Sequence, residues 1–108
     1  QYRVVVKTGS SIRIIPIQEV LYFEAYDDYV KIHTKDGYFL KKKTMAHFEQ
    51  SLDPKLFVRV HRSTIVNVTQ ISRVELFGKE TYQLLLKNGV KLRVSLSGYR
   101  LLKERLGI

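Results

Sequence analysis

The stretch Tyr82-Gln83-Leu84-Leu85-Leu86-Lys87-Asn88-Gly89-Val90-Lys91-Leu92-Arg93-Val94 decides the fold. Its second half alternates apolar and basic side chains, the period of a half-buried strand. Asn88-Gly89 divides it from the first half, and this dipeptide supplies the two positive-φ residues of a type I′ turn. The segment therefore predicts a tight antiparallel hairpin. Lys91 and Arg93 fall on one face of its second strand, opposite Val90, Leu92 and Val94.

The same arrangement repeats outward along the chain. Gly9-Ser10 separates Val4-Val5-Val6 from Ile12-Arg13-Ile14-Ile15, and Asp36-Gly37 separates Val30-Lys31-Ile32-His33 from Tyr38-Phe39-Leu40. Gly78-Lys79 stands between Val74-Glu75-Leu76-Phe77 and the Tyr82 run. Hairpins at this spacing predict a mostly β, antiparallel domain. Two segments leave the period. Thr44 can cap a short helix over residues 44–52, with Met45, Phe48 and Leu52 on one side and Asp53-Pro54 as its end. Ser97 can cap a C-terminal helix over residues 97–106, with Tyr99, Leu102 and Leu106 at core spacing and Gly107 as its stop. Between Pro54 and Val74 polar residues crowd the apolar ones. Short strands around an ordered loop at His61-Arg62-Ser63-Thr64 are expected there.

The chain has 108 residues, 44% of them apolar, which suits one domain with a real core and no need of a metal or disulfide. Residues 1–108 are read as that single domain, cut from something longer because the chain opens inside a strand-like run without Met. It contains no cysteine, which removes disulfide scaffolds, thiolate zinc sites and cysteine nucleophiles. No apolar run approaches the ~20 residues of a membrane span, and no signal peptide opens the chain. A soluble, cytoplasmic domain is expected. Net charge is +9, unevenly placed. Residues 1–54 hold eight basic and seven acidic side chains; residues 55–108 hold eleven and three. A densely anionic partner would be drawn to the second half, nucleic acid being the commonest and a membrane surface the other candidate.

Enzyme chemistry finds little support. His33, His47 and His61 form no HExxH or HxxxH pattern, so no metal is expected. His33 and His47 read as solvated surface residues. Asp27-Asp28 reads as a turn, and neither glycine-rich phosphate loop occurs. The stretch from Phe57 to Val68 differs. Arg59, His61, Arg62, Ser63 and Thr64 place five hydrogen-bonding side chains within six residues, between apolar anchors. Arginine can take guanine O6/N7 bidentately or a phosphate; serine, threonine and imidazole suit phosphate oxygens. His61 and Asn67 can equally satisfy buried backbone. Arg62 has no acidic neighbour in sequence to pair with. Lys91, Arg93 and Arg100 form a second basic group around the start of the last helix, whose free N–H groups can hold a phosphate. Lys41-Lys42-Lys43 is a third, consistent with a strand edge kept soluble.

These residues resemble the LytTR DNA-binding domain, the output module of many bacterial response regulators. The resemblance covers nearly the whole chain. It rests on the segment from Ile17 to Val30, on Phe57-x-Arg59-x-His61-Arg62-Ser63-x-Ile65-Val66-Asn67-Val68, and on Val94-Ser95 before the final helix. It implies an elongated arrangement of short antiparallel sheets, with loops entering successive major grooves. It places base contacts at Tyr29 or Lys31, at Arg62 and at the third loop, where Ser97 replaces the family's frequent basic residue. It maps phosphate contacts to Arg59, Ser63, Arg93, Ser95 and Arg100; His61 and Lys91 join them on the chemistry given above.

The resulting expectation is a sequence-specific, double-stranded DNA-binding domain of a transcriptional response regulator. It is not an enzyme and takes no cofactor or small-molecule substrate. A phosphoaccepting receiver domain would precede it in the full protein, which would bind repeated half-sites as a dimer. Two alternatives belong to other classes: an RNA- or single-strand-binding β-barrel, for which Tyr38, Phe39 and Lys41–Lys43 would be the stacking face, and a protein-interaction module.

Overall fold

The computed structural model describes residues 2–79 and 81–108. Among these residues ten strands form three antiparallel sheets. β1 (Arg3–Thr8) and β2 (Ser11–Pro16) make a hairpin. The central sheet has the order β5-β4-β3-β7-β6, from β3 (Tyr22–Tyr26), β4 (Tyr29–Thr34), β5 (Gly37–Lys41), β6 (Phe57–His61) and β7 (Thr64–Asn67). The third sheet is β10-β9-β8, from β8 (Ile71–Leu76), β9 (Tyr82–Leu86) and β10 (Lys91–Val94). Helix α1 (Met45–Ser51) follows β5, and α2 (Leu96–Leu106) ends the chain.

The central sheet is covered on both faces, which is why residues 54–74 lose the period of two. Neighbouring residues serve opposite cores. Phe23, Phe57 and Ile65 pack with Val4, Val6 and Ile15 of the hairpin and Met45 and Phe48 of α1. Tyr22, Val58 and Val66 pack with Leu84, Leu86 and Leu92 of the third sheet and Leu102 of α2. Stacking hairpin, sheet and sheet in series draws the body out to 47 × 26 × 25 Å. The elongated β architecture, the four glycine-marked hairpins and the first helix agree with the sequence reading. Thr44 caps α1 by accepting the His47 N–H at 3.0 Å.

Four local expectations are corrected. Ser95, not Ser97, caps α2: its hydroxyl accepts the Gly98 N–H at 3.0 Å. The capping register is set by β6, because the Ser95 N–H donates to the Val60 carbonyl at 2.9 Å. Leu106 is exposed, since the last turn of α2 runs past the core that Leu102 fills. The Asn88-Gly89 hairpin is not type I′. Gly89 alone takes positive φ (92°), and the loop spans three residues, with Leu86 N–H donating to Val90 O and Gly89 N–H to Leu86 O. A type I turn followed by a left-handed glycine has this form. His33 and His47 are half-buried, not solvated. His33 stacks on Tyr22 with centroids 4.0 Å apart, and its Nε2 lies 2.9 Å from Glu24 Oε1. His47 meets Phe48 edge-on.

Asn67 is the buried polar residue that ties the layers together. Its Nδ2 donates to Val20 O at 2.9 Å, and its Oδ1 accepts the Thr69 N–H and hydroxyl at 3.0 and 2.7 Å. Asn67→Ala leaves a buried carbonyl unsatisfied and should cost about 2 kcal/mol in urea unfolding with an unchanged m-value. A loss below about 0.5 kcal/mol would contradict this role.

Candidate nucleic-acid interface

Strand β6 carries a bulge. Arg59 pairs with Ile65 and His61 with Thr64, so Val60 is the extra residue. The freed Val60 carbonyl is where α2 docks, through the Ser95 backbone N–H and its hydroxyl at 3.3 Å. One irregularity thus sets the β6–β7 turn beside the start of α2. Glu49, Arg59, His61, Arg62, Ser95 and Ser97 line one open cleft between them.

Arg62 and Ser63 form the whole connection between β6 and β7, and neither takes positive φ. Arg62 stands exposed at the tip and makes no ion pair among the described residues. Several of its neighbours are committed inward. Arg59 donates from one terminal nitrogen to Glu49 Oε1 at 2.9 Å and from the other to the Arg62 carbonyl at 2.6 Å. His61 Nδ1 accepts the Ser63 N–H at 3.2 Å, so the ring proton is assigned to Nε2, and the Ser63 hydroxyl lies 2.8 Å from the same Nδ1. Burial, then the charges of Arg93 and Arg62, hold the His61 pKa below the usual histidine value. The imidazole is therefore neutral at pH 7, with Nε2–H as its donor. The Ser63 carbonyl accepts the Ala25 N–H at 2.9 Å, which ties this turn to the end of β3.

The first loop lies next to that tie. Asp27 and Asp28 make the two-residue β3–β4 turn, Asp27 with φ 53°, as the sequence reading had it. Tyr29 is exposed beside Lys42 and Lys43. Lys31, Glu24, Thr64 and His61 occupy one cross-strand row. Three strand spacings put Lys31 about 14 Å from His61. The Lys31 ammonium is held between two exposed rings, 4.3 Å from the Tyr26 centroid and 4.5 Å from that of Tyr38. Lys91 and Arg93 are exposed on one face of β10, with Leu92 and Val94 buried on the other. Ser97 and Arg100 are exposed one turn apart on α2. The structure therefore joins Arg59, His61, Arg62, Ser63, Ser95, Ser97 and Arg93 in one region and sets Tyr29 and Lys31 apart from it.

Two residues of this region escaped the sequence reading. Glu49 is ten positions from Arg59, with no local pattern linking them. Gly98 sits in the first turn of α2, where a Cβ would run into the Val60 carbonyl and come within 2.8 Å of Val60 Cα. A glycine inside a helical pattern is a readable sign of such close approach. The single-strand stacking face is not free as drawn: Phe39 packs against the core under the Arg13 guanidinium, 5.0 Å from the ring centroid.

The elongated body of short sheets thus presents an arginine-tipped turn beside a helix start. The chain belongs to the family described as the LytTr DNA-binding domain, which it matches over residues 10–107. It is a DNA-binding domain of the kind that bacterial transcriptional regulators carry. It is 32% identical to the sensory transduction protein LytT of Bacillus subtilis over its full length, and 28% identical to the transcriptional regulatory protein LytR of Staphylococcus aureus over 103 residues. It covers 45% and 42% of those two proteins, so it spans under half the length of the relatives it matches. The solved LytTr DNA-binding domain of a Bacillus cereus response regulator superposes with a TM-score of 0.91 at 30% identity, covering 100% of this chain and 99% of that one. No described helix is long and apolar enough to cross a membrane.

Proposed function

We propose that this domain reads double-stranded DNA sequence-specifically through its loops, as the output module of a transcriptional response regulator. The observation that carries the reading is Arg62: an exposed guanidinium with no ion pair among the described residues, at the tip of a braced turn, in a family that binds DNA. Arg62 takes a base edge in the major groove. Tyr29 or Lys31 reaches a second stretch of bases, and Ser97 faces a third without the charge that would let it bind guanine strongly. Lys91, Arg93 and Arg100, which make no ion pair among the described residues, take phosphates, joined by the His61 Nε2–H. Ser63, Ser95 and Arg59 spend their polar groups within the protein and support the loops. In the full protein a receiver domain precedes this module, and activation brings two copies onto repeated half-sites in the cytoplasm.

Salt dependence tests the binding mode. Neutralising about three phosphates, through Lys91, Arg93 and Arg100, gives a log K against log salt slope near about −3 on duplex DNA. Arg93→Ala should reduce that slope by about 1 and weaken specific and random duplexes alike, because phosphates carry no sequence. A slope near zero would sink the DNA reading. A loss confined to the specific duplex would remove Arg93 from the phosphate set.

A further inference from the structure

Arg59 has the composition of a phosphate ligand and the geometry of a brace. Its side chain is 26% exposed, and both terminal nitrogens are directed at protein acceptors, Glu49 on α1 and the Arg62 carbonyl. Its Nε is buried. A guanidinium held in this way spans the gap between helix α1 and the β6–β7 turn. The turn needs such support: it is only two residues long, lies beside a bulge and lacks the positive φ that tight two-residue hairpins use. With its carbonyl fixed by Arg59, Arg62 has a defined place from which its side chain departs. Base readout by a bidentate fork depends on that place being fixed.

We propose that Glu49 and Arg59 form a positioning pair that sets base discrimination by Arg62, although neither touches a base. The inference rests on Arg62 as a base reader. Glu49 is the informative position because an anion takes no phosphate. If Arg59 served a phosphate, removing Glu49 would release it and strengthen binding to every duplex equally. If Arg59 braces the turn, Glu49→Ala loosens Arg62 and lowers discrimination only. These are opposite outcomes from one substitution. Glu49 is an exposed helical residue, and alanine is a better helix former, so the fold survives the change.

The test compares wild type, Glu49→Ala, Arg62→Ala and the double variant on a set of single-base-substituted duplexes. Glu49→Ala should reduce discrimination about fivefold at the base pair that Arg62→Ala relaxes, the factor expected for one hydrogen bond. The salt slope should stay unchanged. The double variant should lose no more than Arg62→Ala alone, because both changes act through one contact. Hydrogen exchange of the 61–64 turn, in free protein, gives a readout without DNA: Glu49→Ala should accelerate it. Uniformly tighter binding, multiplying effects in the double variant, or unchanged exchange would each overturn the brace. If Arg62→Ala leaves the ranking of duplexes intact while Glu49→Ala accelerates exchange, the base-reading role fails and the brace stands as a structural one only.

Discussion

Gly98→Ala is expected to lower the melting temperature by about 8–16 °C. Two effects of opposite sign meet at this residue. Helix propensity favours alanine over glycine by about 1 kcal/mol inside a helix. Against it, the added Cβ falls on the Val60 carbonyl and within 2.8 Å of Val60 Cα. The obstacle is backbone, and that backbone is fixed by its own partners: the Ser95 N–H and hydroxyl both donate to the Val60 carbonyl. Relief therefore means lifting α2 from β6. Lifting separates Leu102 from its core and parts the Tyr82–Tyr99 stack, whose centroids are 3.7 Å apart. Overpacking costs ~1–3 kcal/mol even where side chains can yield; a net loss of about 2 kcal/mol after the propensity gain is the expectation. For a domain of this size each kcal/mol moves the midpoint by about 4–8 °C. Ser97→Ala is the control, because among the described residues its hydroxyl meets only the Ser95 hydroxyl, at 3.3 Å. It should melt within a few degrees of wild type. A Gly98→Ala protein that melts at or above the wild-type temperature would show that propensity wins and that α2 does not sit so close to β6.

The elements readable in the sequence are those whose causes lie within a few residues. The hairpins were visible because turn residues and period-two alternation are both local. Helix α1 was visible because Thr44, Met45, Phe48 and Leu52 carry cap and face within nine positions. The start of α2 was misplaced for the converse reason. Ser95 and Ser97 are both competent caps, and the choice between them is made by the Val60 carbonyl, 35 residues away and freed only by a bulge. His33 was misread because its partners, Tyr22 and Glu24, arrive from the neighbouring strand. The candidate site divides along the same line. Arg62 at a loop tip could be read from the apolar anchors on either side. That Arg59, Ser63 and Ser95 face protein groups could not, because Glu49, Ala25 and Val60 reach them through tertiary structure. The residue types of a phosphate-binding cluster and of a loop-bracing cluster are the same; only partner geometry separates them.

Arg62→Ala is expected to relax preference at one base pair per half-site by roughly ten- to a hundredfold, the ~1–3 kcal/mol worth of a bidentate contact to guanine. The expectation follows from exposure and commitment together. The Arg62 guanidinium has no acidic partner among the described residues, whereas that of Arg59, three positions earlier, is taken up by Glu49 and the Arg62 carbonyl. Truncating the Arg62 side chain leaves that carbonyl, and hence the brace, in place. The turn should keep its shape, and the melting temperature should move by no more than a few degrees. Nonspecific affinity should largely persist, because Lys91, Arg93 and Arg100 remain to take phosphates. Three readings of Arg62 are separated by one pair of measurements: binding of wild type and mutant to single-base-substituted duplexes, and a thermal melt of each protein. Base reading predicts a collapsed preference at one position with the others kept. Phosphate contact predicts uniform weakening on every duplex and a salt slope smaller by about 1. A bracing role for the side chain predicts a lower melting temperature. If the mutant ranks the substituted duplexes as wild type does, Arg62 reads no base, and Tyr29 or the ring-held Lys31 becomes the residue to test.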